Sequence, residues 1–339
     1  MKQVKPIVIV AAILFAAILL IPSLLVLLFS PSPTKGKLTG ADPELDWETL
    51  LKEASTMEVS VYRSEKDEVE TIPLEEYIVG VVAGEMPANF EEEALKAQSL
   101  TARTYIIRQL MYTEPEGLLK GADVSDTVTH QVYKDKEQLK EKWGIDYQKN
   151  IEKIQAAVYE TRGQIITYDG EPITASFFST SNGYTENSEA YWTTPVPYLK
   201  SVESPWDLDS KEFIAKQSFT VDEFQSKLGI TLQGSDLGKV LSRTPGNRVE
   251  KIQIGGKEFT GRQVREVLGL RSTDFTWERK GNEIIVTTKG YGHGVGMSQY
   301  GANGMAKEGK TYEEIIKHYY QGVNISAADT YIEQYLANK

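Results

Sequence analysis

The chain has 339 residues, enough for one large domain or two smaller ones, and its 40% hydrophobic and 25% charged residues are ordinary for a folded globular protein. Its net charge of −11 disfavours a nucleic-acid partner, because an acidic surface repels phosphate backbones. The absence of cysteine excludes disulfides, thiolate metal sites and a cysteine nucleophile.

An uncharged apolar run over residues 7–29 is long enough to cross a bilayer as a helix. Lys2 and Lys5 precede it, so the positive-inside rule places a stub of residues 1–6 in the cytoplasm. A cleaved signal peptide is the alternative, but the run is longer than a signal core and no small-x-small cleavage pattern follows it. The sequence favours an uncleaved, single-pass anchor in the cell membrane, with the bulk of the chain outside the cytoplasm.

Residues 30–56, rich in proline, glycine and lysine at first, predict a tether between the membrane and a folded domain over residues 57–339. The domain begins with an alternating segment at 57–63 that predicts a strand. A second short strand at 69–72 completes a predicted hairpin.

A helix is predicted from Pro73 to Pro87, with proline in its first turn and acidic residues just after it. Glu85 falls at its C-terminal end, where the helix dipole is negative, and packing against Val81 and Met86 would remove its carboxylate from water. Both effects favour the protonated form, which general-acid catalysis requires. The alternative is a solvated carboxylate at a helix end.

The middle of the chain alternates helices and strands. Residues 91–112 predict a long amphipathic helix with one buried face, and residues 151–160 predict another helix. Residues 164–168 and 173–180 predict a hairpin. It ends in a small polar loop at 179–185, which is either part of a site or a plain turn, because serine, asparagine and glycine all form turns.

Residues 207–288 predict a separate lobe. Capping boxes at 220–223 and 260–263 start two helices, and residues 275–288 predict a hairpin over a Gly-Asn turn. A last capped helix is expected at 311–320. Because strands and helices interleave without a βαβ rhythm, the predicted fold class is α+β, with mixed helices and antiparallel hairpins.

A glycine-rich stretch over residues 290–302 is the densest polar segment in the sequence. Glycine at alternate positions lets a backbone approach a ligand closely, and the tyrosine, histidine, serine and glutamine side chains between them can each form hydrogen bonds. This combination predicts the floor of a site. The alternative is a tight strand-to-helix turn.

Most catalytic chemistries do not fit this sequence. The three histidines, His130, His293 and His318, include no i, i+4 pair, and no G-x-S-x-G, Walker or Rossmann pattern is present. Carboxylate chemistry is left, with Glu85 as its best candidate. One glutamate suffices where the substrate supplies its own nucleophile, as the C6 hydroxyl of N-acetylmuramic acid does in peptidoglycan.

Four motifs, at residues 81–87, 91–105, 179–185 and 290–302, together resemble the stage II sporulation protein D family of Bacillus and its relatives. Their order and spacing match from about residue 57 to the C-terminus, and the N-terminal anchor matches too. The resemblance implies a membrane-anchored lytic transglycosylase without a cofactor. Such an enzyme cleaves between N-acetylmuramic acid and N-acetylglucosamine, leaves a 1,6-anhydro end, and prefers strands without stem peptides.

The resemblance also implies roles for individual residues. The family's catalytic acid falls on Glu85, and the two lobes would flank a glycan-binding cleft. The residues expected to hold the sugars or stabilise developing charge are Arg103, Ser181, Asn182, Tyr184, Tyr291, His293 and Gln299. Two of these have a structural alternative, since Arg103 could form a surface ion pair and His293 could be buried.

Partners are implied by the resemblance alone. They are peptidoglycan strands, a cell-wall amidase and a multispanning membrane protein, in a complex of the mother-cell membrane that drives engulfment of the forespore. Some members hold zinc through histidine and cysteine in the loop after the long helix. Here that loop has His130 but no cysteine, so we expect no metal.

Two other functions stay open from the sequence. One is a non-catalytic glycan-binding module that modifies or activates a cell-wall amidase. The other is a hydrolase in which Glu85 works with a second carboxylate and leaves reducing ends.

Overall fold

A computed structural model describes residues 46–112, 119–234 and 237–338. The predicted stub at 1–6, the predicted anchor at 7–29 and the first part of the tether lie outside these residues. Within the described ranges, no helix has the length and apolar character needed to cross a bilayer.

The described residues combine helices with mainly antiparallel sheets, as the predicted α+β class requires. The helices are α1 (Trp47–Glu53), α2 (Leu74–Glu85), α3 (Glu92–Tyr112), α4 (Lys136–Trp143), α5 (Tyr147–Glu160), α6 (Ser188–Trp192), α7 (Val221–Leu228), α8 (Gly261–Leu268), α9 (Gln299–Lys307), α10 (Tyr312–Tyr319) and α11 (Asp329–Asn338). Short 3-10 turns occur at Leu119–Gly121, Gly144–Asp146 and Pro205–Asp209.

The strands are short and belong to several small sheets. They are β1 (Glu58–Arg63), β2 (Glu68–Pro73), β3 (Val124–Ser125), β4 (Gln164–Tyr168), β5 (Glu171–Pro172), β6 (Phe177–Phe178), β7 (Ile214–Thr220), β8 (Lys239–Arg243), β9 (Val249–Ile254), β10 (Lys257–Thr260), β11 (Asp274–Lys280), β12 (Glu283–Lys289), β13 (Met297–Ser298) and β14 (Asn324–Ala327). The strand orders are β2-β1-β3, β10-β9-β8, β11-β12-β7, β13-β6 and β14-β4-β5. The pairs β1–β3 and β13–β6 are parallel, and the others are antiparallel.

Helix α3 lies at the centre of the main hydrophobic core. Nearly every residue from Ala94 to Ile107 is buried, and α2, α5, α9, α10 and β4 all pack against it. The prediction of a single buried face was therefore wrong. Its polar residues tolerate burial because the hydroxyls of Ser99, Thr101 and Thr104 donate to the carbonyl four residues earlier.

The start of the folded part lies earlier than the predicted tether allows. Asp46 caps α1 by accepting a hydrogen bond from the backbone N–H of Thr49, and Leu51 is buried in the main core. Residues 47–53 therefore belong to the folded unit. The predicted hairpin that follows is confirmed as β1 and β2.

Helix α2 ends at Glu85, as Pro87 predicts, and the backbone becomes extended at Met86. Two of its glycines allow close contact with the segment at residues 131–134. A Cβ on Gly80 would lie 2.2 Å from the Tyr133 ring, and one on Gly84 would lie 2.7 Å from the Val132 carbonyl oxygen. Any side chain at these positions would push this segment away from the end of α2.

A second hydrophobic core lies between Phe219 and Val286 and includes residues of β7, α7, β9, α8, β11 and β12. The predicted capping boxes are confirmed at Thr220 and Thr260, and the predicted hairpin is confirmed as β11 and β12. This core falls inside the predicted lobe at 207–288. The arrangement of two lobes around a cleft stays a prediction.

The predicted hairpin between 164–168 and 173–180 was wrong in its second strand. On that side, β4 pairs with β5, and one further hydrogen bond of 3.1 Å joins the Ile173 N–H to the Ile166 carbonyl before the chain leaves the ladder. Strand β14 occupies the other edge of β4, and β6 pairs instead with β13 from the C-terminal motif. The last predicted helix is confirmed as α10.

Candidate active site

Glu85 is partly buried at the C-terminal end of α2. Its Oε1 accepts a hydrogen bond of 3.1 Å from the backbone N–H of Val132. Burial raises the pKa of the carboxyl group above its ordinary value, while the Val132 N–H and the charge of Lys142 act in the opposite direction. The net effect favours the protonated form, as the helix position predicts.

The carboxyl group faces a cleft of about 550 Å³. One wall is the chain from Gly84 to Asn89. The opposite wall comes from the end of α4 and the start of α5, with the residues Lys142, Trp143, Asp146, Lys149 and Asn150. This volume is within the range of small-molecule sites, so it can hold sugar units of a glycan.

Gln299 connects the glycine-rich segment to Glu85, 214 residues earlier in the chain. Its Nε2 donates to the Glu85 backbone carbonyl at 3.1 Å and lies 3.4 Å from Gln98 Oε1. Next to this contact, Asn303 accepts a hydrogen bond of 2.8 Å from the backbone N–H of Glu91. The structure therefore brings the C-terminal motif to the helix end that carries the candidate acid.

The glycines of this motif are required by close contacts within the protein. Gly292, Gly294 and Gly296 have φ values of 116°, 90° and 81°, which other residues rarely adopt. A Cβ on Gly294 would lie 2.5 Å from Arg248 Cζ, and one on Gly296 would lie 2.0 Å from the Ser176 carbonyl oxygen. We predicted that these glycines let the backbone approach a ligand. At these positions the backbone lies against neighbouring protein groups instead.

His293 is half-buried among the rings of Phe178, Tyr191 and Trp192. Its Nδ1 accepts a hydrogen bond of 3.0 Å from the backbone N–H of Val295. Burial, and then the nearby positive charges of two arginines, lower its pKa to about 4. The imidazole is therefore neutral near pH 7 and fixes the turn of the glycine-rich segment.

Ser181 is fully buried in a network centred on Asp207, which the sequence did not single out. The Ser181 hydroxyl donates to Asp207 Oδ2 at 2.8 Å, and the hydroxyls of Ser204 and Ser298 also donate to this carboxylate. Burial raises the pKa of Asp207, and the hydroxyl hydrogen bonds oppose that rise. The Ser181 hydroxyl is therefore already used inside the fold, and nothing in this geometry supports the prediction that it holds a sugar.

None of Asn182, Tyr184 and Tyr291 lines the cleft that contains Glu85. Asn182 Nδ2 donates to the Gly246 carbonyl at 2.9 Å and to Asp274 Oδ2 at 3.0 Å. It therefore connects the polar loop at 179–185 to the turn between β8 and β9 and to the start of β11. Tyr184 and Tyr291 are 43% and 42% exposed, so both are accessible to a bound glycan.

Arg103 lies inside the core and not on the cleft wall. Its guanidinium contacts both carboxylate oxygens of Glu75, the shortest distance being 2.7 Å, and both side chains are at most 1% exposed. It also donates to the carbonyls of Gln164 and Val158. This pairing removes the polar atoms of Arg103 from solvent, so the geometry gives no support to the prediction that Arg103 contacts the sugars.

His130 is held within its own loop, where Nδ1 lies 2.9 Å from the Ser125 hydroxyl. Burial lowers its pKa. Among residues 46–112, 119–234 and 237–338, no three His, Cys, Asp or Glu side chains are close enough together to hold a metal ion.

The second wall of the cleft is the part of the site that sequence reasoning missed. Residues 136–150 are mostly polar, with seven charged side chains among fifteen residues, and they were not singled out from the sequence. The one available signal was Trp143, a large aromatic residue followed by Gly144 in an otherwise polar stretch. Gly144, with a φ of 52°, ends α4 and turns the chain into α5.

Comparison with known proteins places this site in a family context. The stage II sporulation protein family model matches residues 62–168. The chain is 53% identical over 346 residues to stage II sporulation protein D of Bacillus amyloliquefaciens, covering 99% of this chain and 100% of the relative. It is 51% identical over 343 residues to the protein of the same name from Bacillus subtilis (strain 168), with the same coverage.

A more distant relative has a different name. The chain is 31% identical over 303 residues to the amidase enhancer of Bacillus subtilis (strain 168), covering 73% of this chain and 40% of that protein.

Proposed function

The chain belongs to the stage II sporulation protein D family, and we propose that it is a membrane-anchored lytic transglycosylase of peptidoglycan. It cleaves the bond between N-acetylmuramic acid and N-acetylglucosamine in strands that lack stem peptides, and it leaves 1,6-anhydro ends. It acts during engulfment of the forespore in sporulation.

The observation that carries this proposal is the placement of Glu85. Its carboxyl group is partly buried, has a raised pKa and lies in a cleft that is large enough for a glycan. The Val132 N–H holds Oε1, and Oε2 accepts no hydrogen bond from any described residue. One oxygen is therefore oriented and the other is available to a substrate.

The reaction needs one proton donor that also accepts a proton. Protonated Glu85 gives its proton to the bridging oxygen, and the bond from that oxygen to the anomeric carbon of N-acetylmuramic acid breaks. The C6 hydroxyl of the same sugar attacks the anomeric carbon and transfers its proton to the Glu85 carboxylate. No water is consumed, and Glu85 ends the cycle protonated.

The proposed location and partners rest on the resemblance to the family. We propose that residues 7–29 anchor the protein in the mother-cell membrane with the described residues outside the cytoplasm. A cell-wall amidase would remove the stem peptides before cleavage. The amidase and a multispanning membrane protein would work with this chain in one complex, and the similarity to an amidase enhancer supports the link to an amidase.

Two observations each favour another candidate. The same similarity favours a non-catalytic module that binds glycan and activates an amidase. The second observation is Asp146, which lines the same cleft as Glu85 and would supply the second carboxylate of an ordinary glycoside hydrolase.

Turnover by the protein alone separates the enzyme from the amidase activator. The full-length chain in detergent is incubated with peptide-free glycan strands, and soluble products are measured for the wild type and for Glu85→Gln. We expect products from the wild type and a loss of about 1,000-fold in Glu85→Gln, since general acid–base groups contribute on this scale. Strand binding without turnover by a folded wild-type protein would support the activator instead.

A further inference from the structure

Two lysines face Glu85 across the cleft and were not part of any predicted site. Lys142 Nζ donates to the Ala83 carbonyl at 2.9 Å, close to the C-terminal end of α2. Its ammonium group keeps further N–H donors, because this is its only hydrogen bond to a described residue. Neither lysine forms an ion pair with any described residue, although both line a cleft that contains Glu85 and Asp146.

Lys149 is placed where helix stability does not favour it. It lies in the first turn of α5, where the helix dipole is positive and acidic residues are preferred. Its side chain makes neither a hydrogen bond nor an ion pair with the described residues. In a chain of net charge −11, two cations with unused donors on one cleft wall provide a local positive potential for an anion.

Trp143 lies on the same wall, next to Lys142. The Lys142 ammonium is 5.7 Å from the centre of the Trp143 ring, and Tyr147 packs against the indole at 6.3 Å. A partly exposed aromatic face beside cationic groups suits a sugar ring that carries an acidic substituent. A neutral sugar would use the aromatic face alone.

We propose that Lys142 and Lys149 bind a carboxylate on the sugar whose glycosidic bond Glu85 protonates, with Trp143 beneath the ring. This inference rests on the proposed function. The chemical group is the lactyl carboxylate of N-acetylmuramic acid, which is free and anionic when no peptide is attached. When a stem peptide is attached, the same carbon is a neutral amide, so the lysine wall would distinguish the two forms by charge.

The other charged groups around the wall are consistent with this assignment. Burial raises the pKa of Glu85, which weakens its repulsion of the carboxylate. Lys134 adds positive charge near Lys142. Asp146 is the opposing charge that lines the cleft, and it lies at the start of α5, three residues before Lys149.

Binding without turnover tests the proposal. Full-length Glu85→Gln protein in detergent is titrated with peptide-free glycan strands, and with the same strands after their lactyl carboxylates are converted to methylamides. We expect the carboxylate strands to bind about tenfold more tightly than the methylamides, an effect of the size measured for partly desolvated charge pairs. The preference should weaken with rising salt concentration.

Substitutions then assign the preference to the two lysines. In the Glu85→Gln background, Lys149→Gln should reduce the preference about threefold, and Lys142→Gln with Lys149→Gln should abolish it. Lys227→Gln, which removes an exposed lysine from α7, is the matched control and should leave the preference unchanged. Circular dichroism checks that every variant is folded.

Each outcome has one meaning. Equal binding of carboxylate and methylamide strands would overturn the proposal, and so would a preference that persists without both lysines. The reaction is scored separately, by product formation in the wild type. A carboxylate preference without glycan cleavage would refute the enzyme and keep this inference, whereas cleavage without the preference would do the reverse.

Discussion

A general acid needs a proton and a fixed orientation, and the surroundings of Glu85 favour both. Burial raises the pKa of the carboxyl group, and the hydrogen bond from the Val132 N–H holds one oxygen. The positive charge of Lys142 acts against the first effect by favouring the ionised form. The pKa of the Glu85 carboxyl group therefore depends on both walls of the cleft.

The pH dependence of turnover tests this balance. In the proposed mechanism protonated Glu85 is the active form, so kcat should fall as pH rises through the pKa of its carboxyl group. Removing the charge in Lys142→Gln takes away an influence that lowers this pKa, so the alkaline limb of the kcat profile should move to higher pH. Lys149→Gln is the comparison, because Lys149 is not among the groups that shift this pKa.

The profile has a clear opposing result. If the alkaline limb stays in place in Lys142→Gln, or moves to lower pH, the limb does not report the proton of Glu85.

The pair of Glu75 and Arg103 is buried in the core, where we expect it to stabilise the fold. Arg103→Ala should lower the free energy of unfolding by roughly 3–5 kcal/mol, because it leaves the Glu75 carboxylate buried without a partner. The double variant Glu75→Leu with Arg103→Met removes both charges and should be less destabilised than Arg103→Ala. Urea unfolding of the three proteins measures the difference.

Equal stability of Arg103→Ala and the wild type, accompanied by loss of turnover, would indicate that Arg103 acts in the site.

Sequence reasoning could not separate a structural role of Arg103 from a role in the site. An arginine in a helix has the same spacing whether it faces solvent, a cleft or a buried carboxylate, and Glu75 was read only as a favourable acid in the first turn of α2. Glu85 was easier to predict, because its special position is a consequence of local sequence, the proline that ends the helix.

At the scale of elements, α2 and the segment at residues 131–134 form one unit. Val132 donates to Glu85, and the absence of a side chain at Gly84 lets the Val132 carbonyl lie against the helix. A similar contact joins Gly80 to the Tyr133 ring. The orientation of the acid therefore depends on two glycines in the interior of a helix, where glycine is normally unfavourable.

Gly84→Ala tests this unit. In an ordinary helix the change would stabilise the protein by about 1 kcal/mol. Here the new Cβ would lie 2.7 Å from the Val132 carbonyl oxygen, so we expect lower stability and a loss of kcat as the Glu85 hydrogen bond is displaced. Thermal unfolding and turnover are measured together, with Ser226→Ala in α7 as an exposed helical control. A Gly84→Ala protein more stable than the wild type, with full activity, would contradict the contact.

Elements with local signals were predicted well from the sequence. The ends of α2, the capping boxes of α7, α8 and α10, and the β11–β12 hairpin each depend on residues within a few positions. The burial of α3 on all sides could not be predicted in the same way. Its serine and threonine hydroxyls donate to carbonyls within the helix, so the polar composition of this segment does not indicate that it is exposed. The predicted strand at 173–180 was wrong for another reason, because β6 pairs with β13 from the C-terminal motif and not with β4.

At the scale of the whole molecule, the cleft is built from segments that are far apart in the chain. It is lined by residues from the segments 84–89 and 142–150, and Gln299 donates to the Glu85 backbone carbonyl. Of these, only the first segment and Gln299 were singled out from the sequence. The middle segment reaches the cleft through the packing of α5 against α2 and α3, which no local pattern encodes. The sequence therefore predicted the position of Glu85 at the end of α2 and singled out Gln299, which contacts it, but not the wall opposite.

The central claim is that Glu85 cleaves the glycan without adding water. The most direct test is to digest peptide-free strands with the full-length wild-type protein in water enriched in heavy oxygen, and to weigh the new ends by mass spectrometry. The account predicts 1,6-anhydro ends that lack the mass of one water and carry no heavy oxygen, with none formed by Glu85→Gln. Reducing ends that contain heavy oxygen would contradict it and identify a hydrolase.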